Sequence, residues 1–244
     1  MFESDFAKKA GRIILPLLAL TPAVQAQRLE AIGVGYHFTL GQTWVREPLI
    51  QVDDFVIETA ADNSRGDDTG DRLSAFARFG LGESKLFVQP ELAYTSVLGN
   101  QSRVSYYSAR AAPYAEVVQY LYPRLQRFEV AALAGWHLSK RLHVLAGPAL
   151  ALNQRQSSDS FAPLFRPLYQ SMFAGTRPVQ LLGQVGLGVQ LWRLELSARY
   201  EHSLTPHTQS FTYQQRDYAY QQHTSQFMFG LAMLVYDRHR PWRR

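Results

Sequence analysis

His202 and Ser203 stand side by side, with Glu195 and Glu201 a few residues upstream. These are the side-chain types of a serine nucleophile, its base and an orienting acid. A serine nucleophile needs its base within hydrogen-bond reach and on the same face. Adjacent residues of an extended strand point to opposite faces, so His202 and Ser203 meet only across a bulge. The expectation here is a polar rim at a strand end. An acidic stretch holds Asp53, Asp54, Glu58, Asp62, Asp67, Asp68 and Asp71. Asp67-Asp68-Thr69-Gly70-Asp71 offers oxygen ligands of the kind calcium takes, but not at EF-hand spacing. A solvated acidic loop, or one bridged by cations to lipid phosphates, is the expectation. No glycine-rich phosphate loop, Cys/His metal spacing or other nucleophile motif is present, and no cofactor is expected.

The element that would carry His202 is more telling than the pair itself. From Val179 to Leu204 the sequence alternates. Val179, Leu181, Val185, Leu187, Val189 and Leu191 share one parity, and Gln180, Gln184, Gly186, Gly188 and Gln190 the other. After Trp192-Arg193, Leu194, Leu196, Ala198 and Tyr200 alternate with Glu195, Ser197, Arg199 and Glu201. Period two means strands with two different surroundings, one apolar and one that accepts charge. Trp-Arg lacks the residues a two-residue hairpin favours, so a wider turn is expected.

Eight segments show this period: Ala31–Leu40, Leu73–Leu81, Leu86–Ser96, Phe128–Leu138, Leu142–Asn153, Val179–Leu191, Leu194–Leu204 and Phe227–Tyr236. Strands of about 10 residues, rising ~3.3 Å each and tilted ~40°, cover the ~25 Å apolar band of an outer membrane. Short connections (Gly82–Lys85, Ser139–Arg141, Trp192–Arg193) alternate with long ones. Several long loops are unusual in a soluble domain. An eight-stranded antiparallel up-and-down transmembrane β-barrel produces this alternation directly, with both termini periplasmic.

The apolar rows, including Ile32, Val34, Tyr36, Phe38, Phe79, Leu92, Phe128, Val144 and Leu150, carry no Lys, Arg, Asp or Glu. That is expected of a lipid-facing surface. Aromatic residues near strand ends (Tyr36, Phe38, Tyr94, Trp136, Trp192, Tyr200, Phe227, Phe229) suit interfacial girdles. The opposite rows hold Arg78, Gln89, Glu91, Glu129, His137, His143, Gln184, Gln190, Glu195, Arg199 and Glu201. Buried charges must be paired or hydrated. The site expected from the sequence is therefore a structural lumen network of Arg78, Gln89, Glu91, Glu129, Glu195, Arg199 and Glu201 that plugs the barrel, built around Arg78 and Arg199. The long connections are aromatic: Tyr106, Tyr107, Tyr114, Tyr120 and Tyr122 in the second, Phe161, Phe165, Tyr169 and Phe173 in the third, Tyr213, Tyr218 and Tyr220 in the fourth. Such loops bind a protein or glycan partner, or pack on one another above the barrel. Glu116–Leu121 is a short strand or helix of that region.

Lys8, Lys9 and Arg12 precede the apolar run Ile13–Leu20, and Val24-Gln25-Ala26 offers small residues. This is the layout of a secretory signal peptide over residues 1–26. The barrel is then expected over 27–236, with a basic periplasmic tail over 237–244. The chain has no cysteine, which closes the lipid-anchored route and leaves no disulfides. The net charge of +5 comes without a basic helix or an aromatic-basic platform, so no nucleic acid is expected.

The segments Leu86-Phe-Val-Gln-Pro-Glu-Leu-Ala-Tyr94, Leu125-Gln-Arg-Phe-Glu-Val-Ala-Ala-Leu133, Val144-Leu-Ala-Gly-Pro-Ala-Leu150, Gly186-Leu-Gly-Val-Gln190 and Leu196-Ser-Ala-Arg-Tyr200 resemble the PorT-like outer-membrane β-barrel family of bacteria. The resemblance implies location and architecture more than activity. It implies contact with outer-membrane lipid and lipopolysaccharide, and with the barrel-insertion machinery during biogenesis. The expected role is non-enzymatic, structural or interactive at the cell surface, in secretion or envelope assembly. A lipid-modifying hydrolase resembling the lipid A deacylases, and a small-solute channel, are the alternatives.

Overall fold

The computed structural model describes residues 27–59, 68–98, 102–107, 116–121, 124–156 and 161–238. The expected signal peptide, and all of the expected tail except Asp237 and Arg238, lie outside the described residues. In chain order the elements are β1 (Gln27–Val45), β2 (Leu49–Val52), β3 (Phe55–Thr59), β4 (Asp68–Leu81), β5 (Leu86–Leu98), β6 (Ser102–Tyr107), β7 (Glu116–Leu121), β8 (Arg124–His137), β9 (Leu142–Asn153), α1 (Arg166–Ala174), β10 (Val179–Leu191), β11 (Leu194–Ser203), β12 (Phe211–Tyr213), β13 (Arg216–Tyr218) and β14 (Gln222–Asp237).

Strands β1, β4, β5, β8, β9, β10, β11 and β14 form a closed barrel. Each pairs antiparallel with the next along the chain, and β1 closes onto β14. This is the expected eight-stranded meander, and β9 and β10 begin and end where the two-residue period does. Five of the others run longer than the period alone marked, and β11 ends at Ser203, one residue short of the expected limit. Closure leaves no sheet edge along the wall.

Apolar side chains face outward, as Val34, Leu92, Phe128, Val185, Leu196 and Phe229 show. The last strand follows the register that Phe227 and Phe229 choose, and both are about half exposed. Tyr94 packs on Phe128, and Tyr200 on Phe227, each with ring centroids 5.0 Å apart. Trp136 and Trp192 lie exposed beside the short turns at the other end.

The turn at Trp192-Arg193 is two residues wide, because Leu191 pairs directly with Leu194. It is not the wider turn the residue types suggest. Trp192 takes φ +61° while Arg193 does not turn positive, the pattern of a type II′ hairpin. The strain is borne by a non-glycine residue whose indole remains exposed.

The long connections do not remain loops. The hairpins β2–β3 and β6–β7, from two different connections, merge through β3 and β6 into one four-stranded sheet. Glu116–Leu121 is a strand of that sheet. The third connection contributes α1, which starts with Pro167 in its first turn and buries Leu168, Tyr169, Met172 and Phe173 on one face. The fourth contributes β12–β13. All four share one apolar core, with Val52, Phe55 and Ile57 from the first, Val104 and Leu121 from the second, Phe165 and Leu168 from the third, and Phe211 and Tyr220 from the fourth. The barrel thus carries a folded cap over the end opposite its short turns.

Candidate functional site

Among the described residues, four buried arginines, Arg72, Arg78, Arg127 and Arg199, and four buried glutamates, Glu91, Glu129, Glu195 and Glu201, are joined by ion pairs inside the barrel. Their formal charges cancel. Toward the cap, Arg72 binds Glu91 at 2.9 Å and Glu129 at 2.8 Å. Arg127 reaches Glu129 at 2.7 Å and also pairs with Glu201. Arg199 closes the group by binding Glu91 at 2.8 Å. Neutral donors complete the carboxylates: Thr95 donates to Glu129 at 2.7 Å, Gln184 to Glu201 at 2.7 Å and Gln226 to Glu201 at 2.9 Å. Charge-assisted bonds of this length are the strong class, and few other bonds hold ions away from water.

Toward the short turns, Arg78 donates to Gln89 at 2.8 Å and to Glu195 at 3.0 Å. His143 lies 3.4 Å from Glu195. Gln89 donates onward to Glu91 at 3.1 Å, which joins the two groups into one network. The strands make room for it. A Cβ on Gly188 would overlap the His143 ring, and one on Gly230 would overlap that of His37. Along the β1–β4 wall the ring nitrogens of His37 and the hydroxyls of Thr39 and Ser74 have no protein partner among the described residues. Water is their natural partner there.

The seven residues expected in the lumen, Arg78, Gln89, Glu91, Glu129, Glu195, Arg199 and Glu201, are all buried and connected through these bonds. The network is not centred on Arg78 and Arg199 alone, because Arg72 and Arg127 supply half of its cations. Both lie one residue outside the strand limits read from period two. The signal that reveals them is charge balance: two arginines cannot neutralise four buried glutamates, and Arg72 and Arg127 hold the inward parity of Arg78 and Glu129. His137 sits nearer the mouth, where it meets Glu30 at 3.1 Å.

The cap is anchored to the barrel by polar contacts. Gln222 donates to the Tyr220 hydroxyl at 2.8 Å, and Thr59 and Ser102 lie 3.0 Å apart beside it. Burial pushes the Tyr220 phenol up. Burial, helped by the positive charge of Arg127, pushes the His207 imidazole down to about 4.

His202 and Ser203 do not converge. Ser203 is buried and accepts from the Thr224 backbone at 2.9 Å. His202, on the opposite face, lies 2.8 Å from Ser225, and no carboxylate orients it among the described residues. Glu195 and Glu201 belong to the lumen network. The acidic stretch lies only partly within the described residues. Thr69–Asp71 lie in β4 paired with β1, Asp71 accepts the Tyr36 hydroxyl, and no metal-binding cluster occurs among the described residues. Asp62 and Asp67 lie outside them. Most of the loop aromatics are spent on the cap core. Tyr169, Tyr220, Phe165 and Phe173 are buried, and Phe161, Tyr106, Tyr213 and Tyr218 pack against them. Tyr107 and Tyr120 remain exposed, and Tyr114 and Tyr122 lie outside the described residues.

No protein-family profile and no curated protein matches the chain. The resemblance to PorT-like barrels therefore rests on the short segments alone. Among solved structures, the chain is similar to the attachment invasion locus protein Ail of Yersinia pestis in complex with the heparin analogue sucrose octasulfate. Identity is 11%, the TM-score 0.41, and the match covers 85% of this chain and 98% of that one. It is also similar to the outer membrane protein OprG of Pseudomonas aeruginosa, with 11% identity, a TM-score of 0.42, and 86% and 98% coverage. Neisserial surface protein A is a third, with 11% identity, a TM-score of 0.39, and 84% and 98% coverage. These are likenesses of fold.

Proposed function

We propose that the protein is a bacterial outer-membrane β-barrel with both termini periplasmic, its cap outside the cell, and a non-enzymatic structural or interaction role at the cell surface. One observation carries this reading: the barrel is inverted, apolar outside and ionic inside, while the cap above it is an ordinary water-facing domain with an apolar core. Only a wall surrounded by lipid rewards that inversion. Lipid and lipopolysaccharide are then its lateral neighbours, and the insertion machinery its partner during assembly. Residues 1–26 act as the signal peptide.

The lumen network spans the barrel as ion pairs and hydrogen bonds rather than as an open ring of charges. That supports a plugged barrel over a small-solute channel. The separation of His202 from Ser203 counts against a lipid-modifying hydrolase. A partner at the surface, protein or glycan, would meet the cap.

Two measurements test the reading. Outer membranes extracted in detergent are run on gels with and without boiling, and the folded barrel is expected to migrate differently until heated. A soluble protein without such a shift would overturn the location. In planar bilayers the expected result is no stable conductance, and steady open channels would overturn the plug.

A further inference from the structure

Arg78 carries more than its share of the lumen network. Its guanidinium lies over two aromatic faces, 4.7 Å from the Phe87 ring centroid and 5.6 Å from that of Phe76. Within the plane, Nε and Nη2 are used by Gln89, Glu195 and His143. Nη1 makes no hydrogen bond among the described residues, and it is not one of the sealed, unpartnered atoms of the interior. Arg78 lines a cavity of about 740 Å³ at the short-turn end of the barrel. That volume lies within the usual range of small-molecule sites, roughly 300–1,000 Å³.

The cavity's remaining formal charges are two carboxylates and two lysines, so its selectivity rests on which of them are engaged. Its two carboxylates are already engaged, Glu30 with His137 at 3.1 Å and Asp237 with Gln190 at 2.8 Å. Its two lysines, Lys85 and Lys140, have no ion pair among the described residues. The cavity therefore presents one guanidinium edge held by the network and two lysines without ion pairs among the described residues. A planar or tetrahedral oxyanion satisfies such an edge, and the lysines add attraction without fixed geometry.

We propose that this cavity binds a small organic anion, whose carboxylate or phosphate docks on Nη1 of Arg78 with Lys85 and Lys140 closing over it. The site does not depend on the membrane location or on the role of the cap. On the topology proposed above it opens to the periplasm.

The full-length protein, folded in detergent micelles and verified by its gel shift, is titrated calorimetrically with citrate and with phenyl phosphate at low ionic strength. Saturable binding of at least one probe is expected. Binding of citrate alone assigns a carboxylate ligand, and of phenyl phosphate alone a phosphate ligand. The double variant Lys85→Ala/Lys140→Ala leaves the network untouched and is expected to weaken binding about tenfold. Arg78→Lys keeps a cation opposite Glu195 but removes the Nη1 edge, and in a folded sample is expected to abolish saturation. Arg28→Ala, outside the cavity, is expected to change nothing. Neither probe binding, or binding indifferent to the lysines and to Arg78→Lys, would overturn the proposal.

Discussion

The barrel and the cap use the same side chains in opposite places. Phe55, Phe165 and Phe211 are buried in the cap, while Phe38, Phe128 and Phe227 are exposed on the barrel wall. Arg103 and Arg216 sit on the cap surface, and Arg72 and Arg78 are sealed inside the barrel. Residue type alone does not decide burial. What decides it is the solvent on the far side of the backbone, which is water around the cap and, on the reading above, lipid around the barrel. The cap is held by dispersion and apolar transfer, the barrel by its closed ladder and by charge compensation. The two regions should therefore respond differently to substitution.

The largest effect is expected from removing a compensating charge in the lumen. Glu91→Ala leaves Arg72 and Arg199 facing one fewer carboxylate. Breaking a buried pair typically costs about 3–5 kcal/mol. Urea unfolding of the barrel in lipid vesicles measures it. A loss below about 1 kcal/mol would mean that water, not glutamate, compensates these arginines.

The matching change in the cap is Leu168→Ala, at a fully buried position of α1. A core truncation of this kind costs about 2–5 kcal/mol. The expected signature is faster proteolysis within the cap while the gel shift of the barrel persists. If both are lost together, cap and barrel are one cooperative unit and the contrast between them dissolves.

A third pair of variants tests the solvent directly. Leu187→Arg on the outer wall is expected to cost about 2–4 kcal/mol if that face meets the bilayer midplane. Leu49→Arg on the cap, at an even more exposed leucine, is expected to change stability by about 0.5 kcal/mol or less. Equal effects in vesicles would mean that the outer wall does not face lipid.

His207 makes the cap sensitive to acid. Its folded imidazole titrates near 4, below the ordinary value of 6.5. The unfolded chain therefore binds the proton first as pH falls. The contribution of neutral His207 is complete above about 6.5 and is lost progressively as pH falls toward about 4. His207→Gln is expected to flatten that part of the cap's stability profile, read by proteolysis across the same range.

The barrel was far more legible than the cap. Its strands are long, and each repeats the same two environments, so period two survives errors at the ends. The price fell on Arg72 and Arg127, each one residue past the assigned limits. The cap strands are three to six residues long, too short for a period to declare itself. Their turns are also disguised. The β12–β13 hairpin closes on Gln214-Gln215, both at positive φ, and β2–β3 on Asp53 at φ +50°. Neither carries the glycine that such turns usually advertise. The pairing of β3 with β6 joins two separate connections, and no local pattern encodes it. The anion cavity was invisible for a related reason: Lys85 and Lys140 lie in two different turns, and the pairing of β4, β5 and β8 brings them to one cavity with Arg78.

The smallest effect is expected where the cap also uses an ion pair. Arg103 lies 3.7 Å from Glu58 across β3 and β6, with 41% and 56% of the two side chains exposed. Water already solvates both ions, so pairing them removes little hydration and gains little attraction. Such pairs contribute about 0–1 kcal/mol. Glu58→Gln should therefore be almost silent in cap proteolysis, and what effect it has should vanish in high salt. The same chemistry, a glutamate losing its charge opposite arginine, is then silent on the cap and severe at Glu91. If Glu58→Gln proves as costly as Glu91→Ala, exposure does not separate the two pairs, and the contrast between water-facing cap and sealed lumen loses its electrostatic half.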